Sequence, residues 1–188
     1  MPFVPFVPFV SFVPFVSFVS FVMGVKDSLL PDFDHEMAVT RRVLERVPDH
    51  ALAWRPHEKS FDLGGLAFHL AVIPRWGRAI LQRESYDLNE SMGRRPDGPA
   101  SRAMILETFD RHVAEVRREL VERSDAELMA PWKLLRDGQL LMSLPRIAAF
   151  RSFLIHHAIH HRGQMTVYLR MQGVPIPPIY GATADEPA

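Results

Sequence analysis

Residues 156–164, His-His-Ala-Ile-His-His-Arg-Gly-Gln, hold four of the chain's nine histidines. Imidazoles four residues apart on a helix project from one face about a turn apart, close enough to share one metal ion. The segment contains two such pairs, His156/His160 and His157/His161, separated by about 100° around a 3.6-residue helix. The line through 157 and 161 runs on through Phe150, Leu154, Met165 and Tyr168, whereas the line through 156 and 160 includes Phe153 but then meets Gly163, Gln164 and Val167. The first line favours His157 and His161 as the inward pair, with His156 and His160 as the alternative. An unpartnered polar ring in a core is costly, and Gly163 costs the helix up to about 1 kcal/mol relative to alanine, which suggests a close approach there. A third imidazole, His69, lies on another apolar line, Leu66, His69, Leu70 and Ile73. A lone histidine so placed is ordinarily a hydrogen-bonded core residue. Three meeting in one interior would form a neutral nitrogen ligand set with positions left for water or substrate, the pattern of catalytic rather than structural metal sites. Imidazole ligation suits zinc, nickel, copper or iron and disfavours magnesium and calcium. Zinc or nickel is expected, with manganese or iron as alternates.

Four segments of helical periodicity have to position these rings. The first runs from about Phe33 to Val47, with Met37, Val43, Leu44 and Val47 recurring on one face and Pro48 closing it. The second follows Ser60, a candidate N-cap, through Leu63, Leu66, Leu70, Ile73, Ile80 and Leu81, and Pro74 predicts a kink inside it. A third starts at Ser101, after the Gly/Pro-rich loop at 93–99, and reaches about Arg123 with Ile105, Phe109, Val113, Val116 and Leu120 inward. Ser143 and Pro145 mark the start of a fourth helix of roughly 28 residues, and Gly173 with Pro175 marks its end. Between the third and fourth, apolar residues from Trp132 to Met142 flank Asp137-Gly138, a short hairpin signal. The tail after Val174 is expected to lie extended across the bundle through Ile176, Ile179 and Tyr180. The fold class is therefore all-α, a four-helix bundle with a small β-hairpin between helices 3 and 4.

The rest of the chain sets limits. Its 188 residues suffice for one domain with its own core. Lys plus Arg and Asp plus Glu are both 22, so no basic footprint points to nucleic acid and no nucleic-acid partner is expected. The absence of cysteine excludes disulfides, zinc-thiolate sites and a cysteine nucleophile, and it fits a cytoplasmic protein. Residues 2–22 are seven tripeptides, four Pro-Phe-Val and three Ser-Phe-Val. This is the pattern of a short direct repeat at nucleotide level, with Met23 a candidate start. Its prolines exclude an uninterrupted spanning helix, so no membrane contact is expected, and the repeat reads as disordered or extended. The division expected is a low-complexity repeat at 1–22 and a bundle domain at 23–188.

The segment His157-Ala158-Ile159-His160-His161-Arg162-Gly163-Gln164, continued by Met165 to Arg170 and then Gly173-Val174-Pro175-Ile176-Pro177, resembles the signature of the DinB family, within the DinB/YfiT-like metalloenzymes. Pro56-His57-Glu58-Lys59-Ser60 and the helix with His69-Leu70-Ala71 resemble its second-helix motif, and Ile179 to Glu186 its C-terminal tail. The resemblance spans Asp34 to Glu186. It implies a four-helix bundle with one divalent metal held by His69, His157 and His161, with His160 not a ligand, His156 exposed, and Arg162 and Gln164 in structural or ligand-supporting roles. It also implies relatives that are thiol S-transferases using low-molecular-weight bacterial thiols, a maleylpyruvate isomerase dependent on such a thiol, and members linked with DNA-damage induction.

A divalent-metal-dependent enzyme with a three-histidine site is thus expected, thiol S-transferase-like or hydrolase-like, acting on a small molecule. An open metal position would acidify a thiol or water for attack on an electrophile. The alternative is a non-catalytic, stress-response metal-binding bundle. His57 and Glu58 are candidates for a general base, although a surface histidine and a helix-start acid are the plainer reading of each. Trp76 is a candidate pocket wall or simply core. A homodimer is expected.

Overall fold

The computed structural model describes residues 24–90 and 101–187; the repeat at 1–22 and the loop at 93–99 lie outside the described residues. Four long helical elements form the bundle: α1 (Val25–Leu44), the bent pair α2 (Leu63–Val72) and α3 (Arg75–Gln82), α4 (Arg102–Glu122), and a last helix. That last helix joins α6 (Arg146–Phe150), a π-helical turn (Arg151–His156) and α7 (His157–Met171). A short α5 (Asp125–Met129), strands β1 (Ser85–Asp87), β2 (Pro131–Arg136) and β3 (Gln139–Pro145), and two 3₁₀ turns (Asp49–Ala51 and Leu88–Glu90) complete the described elements. The chemistry of the packed faces fixes the helix directions. Arg41 pairs with Asp110 and Arg117 with Asp34, so α1 runs antiparallel to α4. His69 meets His157, and Arg146 reaches the Ile80 carbonyl, so α2–α3 runs antiparallel to the last helix. Both α1 and α2 pack on α4 and on α7, which closes the four-helix ring.

The predicted apolar stripes are the core. Met37, Val43, Leu44, Val47, Leu63, Leu66, Leu70, Ile73, Ile80, Ile105, Phe109, Val116 and Leu120 are all buried. Pro74 ends α2 and starts α3, because its ring cannot continue the hydrogen-bond ladder. Ser101 caps α4, its hydroxyl accepting the Met104 N–H at 3.2 Å.

Boundaries and small elements differ from the sequence reading for tertiary reasons. The first helix starts two turns earlier than expected, at Val25, and stops at Leu44. Its start is held by a distant residue: the Asp125 carboxylate accepts the Val25 and Lys26 N–H groups at 3.0 and 2.9 Å. Asp62 rather than Ser60 caps α2, accepting the Gly65 N–H at 2.6 Å. The hairpin is part of a three-stranded sheet in the order β1-β2-β3, because Ser85–Asp87 pairs in parallel with β2. Three residues carry no readable alternation, so β1 exists only through its partner. Asp137 and Gly138 have φ of 51° and 73°, the left-handed pair that a two-residue hairpin turn requires. The glycine that permits close packing is Gly77: a Cβ there would lie 2.5 Å from Leu154 and 2.8 Å from Val116. At Gly163 an added Cβ meets nothing within 4 Å. The close approach expected there is absent, because that residue lies on the exposed side of α7. In the tail, Ile176 is buried and Ile179 packs on the core, whereas Tyr180 is largely exposed and meets the bundle through His35, Arg162 and its hydroxyl contacts.

Candidate metal centre

Helix α2 and the start of α7 bring together His69, His157 and His161, with ligand nitrogens all within 4.8 Å of one another. The Nε2 atom of His157 lies 3.3 Å from that of His69 and 3.0 Å from that of His161. Each ring is half-buried. Loss of hydration pushes the His69 imidazole down to about 4, with the neighbouring His161 and His157 adding to the shift. Burial is also the largest cause lowering His157 and His161. All three are therefore neutral near pH 7, the state in which imidazole binds a cation.

Several residues aim these rings. His157 follows the π-helical turn directly, where the ladder is wider than in an α-helix. Its backbone N–H bonds the Leu154 carbonyl, and its ring bonds the carbonyl of Phe153. His161 Nδ1 lies 2.7 Å from Gln164 Oε1. The Phe61 ring stacks on His69 at 5.6 Å, and the Tyr168 hydroxyl donates to the Phe61 carbonyl. Phe61 is a contributor that the sequence reading passed over; its position one residue before the Asp62 cap was the available signal. His156 and His160 are exposed, although the His160 ring lies 4.8 Å from that of His161.

The other residues singled out have different places. His57 and Glu58 are exposed in the loop before α2, where His57 Nδ1 accepts the Lys59 N–H. Neither belongs to the group of convergent ligand atoms. Trp76 packs against Phe153 and Tyr86, so its partners are core aromatics rather than the histidine rings. Arg162, one residue from His161, is 2% exposed and pairs with Glu36 at 2.7 Å. It also donates to the Glu36 carbonyl, Thr40 Oγ1 and the Tyr180 hydroxyl, and that hydroxyl donates to the Glu36 carboxylate. This network binds α7, α1 and the tail. Its members on α1 and in the tail carry no sequence periodicity that links them.

The fold and the cluster together define a helix-bundle protein with three convergent imidazoles and, among the described residues, no carboxylate joining them. The family model for the DinB family matches residues 23–188, and the chain belongs to that family. It is similar to the uncharacterized protein YrdA of Bacillus subtilis strain 168, 28% identical over 169 residues, covering 85% of this chain and 90% of that one. Among solved structures, a DinB-like protein of Bacillus cereus ATCC 10987 superposes with a TM-score of 0.65 at 22% identity, covering 84% of this chain and 99% of its own. The DinB-like protein YjoA of Bacillus subtilis does so with a TM-score of 0.64 at 16% identity, covering 81% and 97%. Among the described residues no helix is long and apolar enough to cross a membrane.

Proposed function

We propose that this protein binds one divalent metal ion through His69, His157 and His161 and uses it in a thiol S-transferase-like or hydrolase-like reaction on a small molecule. The observation that carries the reading is the meeting of three inner nitrogens at 3.0 to 3.3 Å around His157. The His157 ring already donates outward to a carbonyl, so its inner nitrogen is an acceptor directed at two other imidazoles. Such a set suits zinc or nickel. A bound ion would supply Lewis acidity and lower the pKa of a thiol or water.

The chain's own residues contribute orientation and a dry flank. Phe61 covers one face of His69, and the aromatic pair Trp54 and Tyr168, 5.7 Å apart, supports that segment. A low-molecular-weight thiol with an electrophile, or water with an ester, are the reactant pairs proposed for it. A second reading, a non-catalytic metal-binding bundle, is favoured by one observation: among the described residues no carboxylate joins the three rings as a general base.

Elemental analysis of protein purified without a histidine tag, followed by titration with Zn²⁺ and Ni²⁺, tests the centre. One equivalent of tightly bound ion is expected, and no binding would sink the proposal. Thiol-consumption and ester-hydrolysis assays with Zn²⁺, Ni²⁺ or Mn²⁺ restored then separate the two readings. Metal binding without turnover of any thiol or ester favours the non-catalytic one.

A further inference from the structure

The two histidines of α7 are held at their outer nitrogens by different kinds of group. His157 is held by the backbone, through the Phe153 carbonyl beside the π-helical turn. In a regular α-helix that carbonyl would take the His157 backbone N–H, which here goes to Leu154. A carbonyl only accepts, so the bond forces the proton onto the outer nitrogen and frees Nε2. Among the described residues no backbone carbonyl does the same for His161. Its Nδ1 contact, at 2.7 Å, is to a side chain three residues on, Gln164. Neutral imidazole carries its proton on either nitrogen, and only the form with a free Nε2 sets a second lone pair beside that of His157, 3.0 Å away, for a cation to take up.

We propose that Gln164 is a positioning residue whose carbonyl oxygen holds His161 in the tautomer with its proton on Nδ1, directing the free Nε2 into the histidine cluster. Its value for ligation rests on the metal centre proposed above, whereas its hold on the ring does not. The amide has a second orientation, in which its NH₂ donates to Nδ1 and drives the proton onto the inner nitrogen. Three crowded nitrogens then include one that cannot bind a cation. The oxygen-facing orientation alone makes His161 match His157. Gln164 is exposed and packs in no core, so replacing it tests the ring rather than the fold.

The experiment uses the full untagged chain, labelled with ¹⁵N-histidine, as wild type, Gln164→Leu and Gln164→Glu. Long-range ¹H–¹⁵N spectra at pH 8 without metal report each ring's tautomer, and calorimetric titration with Zn²⁺ reports affinity. In the wild type His157 and His161 are both expected to carry the proton on Nδ1. Gln164→Leu is expected to move His161 toward the Nε2-protonated form, leave His157 unchanged, and weaken Zn²⁺ about 10- to 100-fold, the range for losing an outer partner of a ligating histidine. Gln164→Glu, which keeps an acceptor, is expected to retain the wild-type tautomer and affinity at least as tight. Wild-type His161 protonated on Nε2, or unchanged affinity in Gln164→Leu, overturns the role. If the wild type itself binds no Zn²⁺, the metal reading falls and the spectra alone decide Gln164: a tautomer change in Gln164→Leu upholds its hold on the ring, and none overturns it.

Discussion

Two polar groups lie side by side inside this bundle, and they differ in what they lack. Arg162, Glu36, Thr40 and Tyr180 form a closed set in which a buried cation meets a carboxylate and the hydroxyls of Thr40 and Tyr180 each accept from the guanidinium. His69, His157 and His161 form an open set, neutral rings with inner nitrogens directed at one another and, among the described residues, no carboxylate beside them. Adjacent residues of α7, His161 and Arg162, point into these two different environments. Polar groups whose complement is encoded within the chain hold helices together; the histidines leave their inner nitrogens open, and the proposed metal reading rests on that.

Ligand removal breaks the comparison most sharply. Changing His157 or His161 to alanine should weaken Zn²⁺ by more than the roughly 100-fold attributed to losing an outer partner, measured by competition with a chromophoric chelator, while the metal-free melting temperature stays close to wild type. The closed set should respond oppositely. Glu36→Gln leaves a buried guanidinium without its counter-charge and should cost about 3–5 kcal/mol in urea unfolding, the range for breaking one side of a buried pair. A fully folded, equally stable Glu36→Gln protein would show that the pair is not the lock between α1 and α7.

Acid sharpens the distinction. His69 titrates at about 4 in the fold, against an ordinary value of 6.5, and His157 and His161 are lowered as well. Between pH 6.5 and 4 the unfolded chain therefore binds more protons than the folded one, so metal-free stability falls as pH falls through that window. Replacing the three rings by glutamine should flatten this slope in urea titrations at pH 7, 6 and 5. The smallest effect belongs to the surface. Arg117→Ala breaks an exposed pair with Asp34 and should change stability by less than about 1 kcal/mol.

Much of the bundle was legible because helix periodicity is local. The stripes on α1, α2, α4 and the last helix named their own buried residues, and the chemical contrast between the 157/161 and 156/160 lines separated the half-buried pair from the exposed one. The capping box Ser124-x-x-Glu127 was present in the sequence and would have disclosed α5. Gly163 misled: a glycine's cost suggested packing that Gly77 performs instead. The start of α1, the strand β1 and the partner of Arg162 were not legible, since Asp125, β2, Glu36 and Tyr180 supply them from elsewhere in the chain.

By itself, the sequence determined that three histidines lie on apolar helix lines with no cysteine to replace them, because residue type and a 3.6-residue repeat are properties of short stretches. Only the tertiary structure decided that the His69 ring meets those of α7 nitrogen to nitrogen and that Arg162 is neutralised by Glu36. Those outcomes depend on distances between residues far apart in the chain, and such distances are set by packing the whole bundle at once.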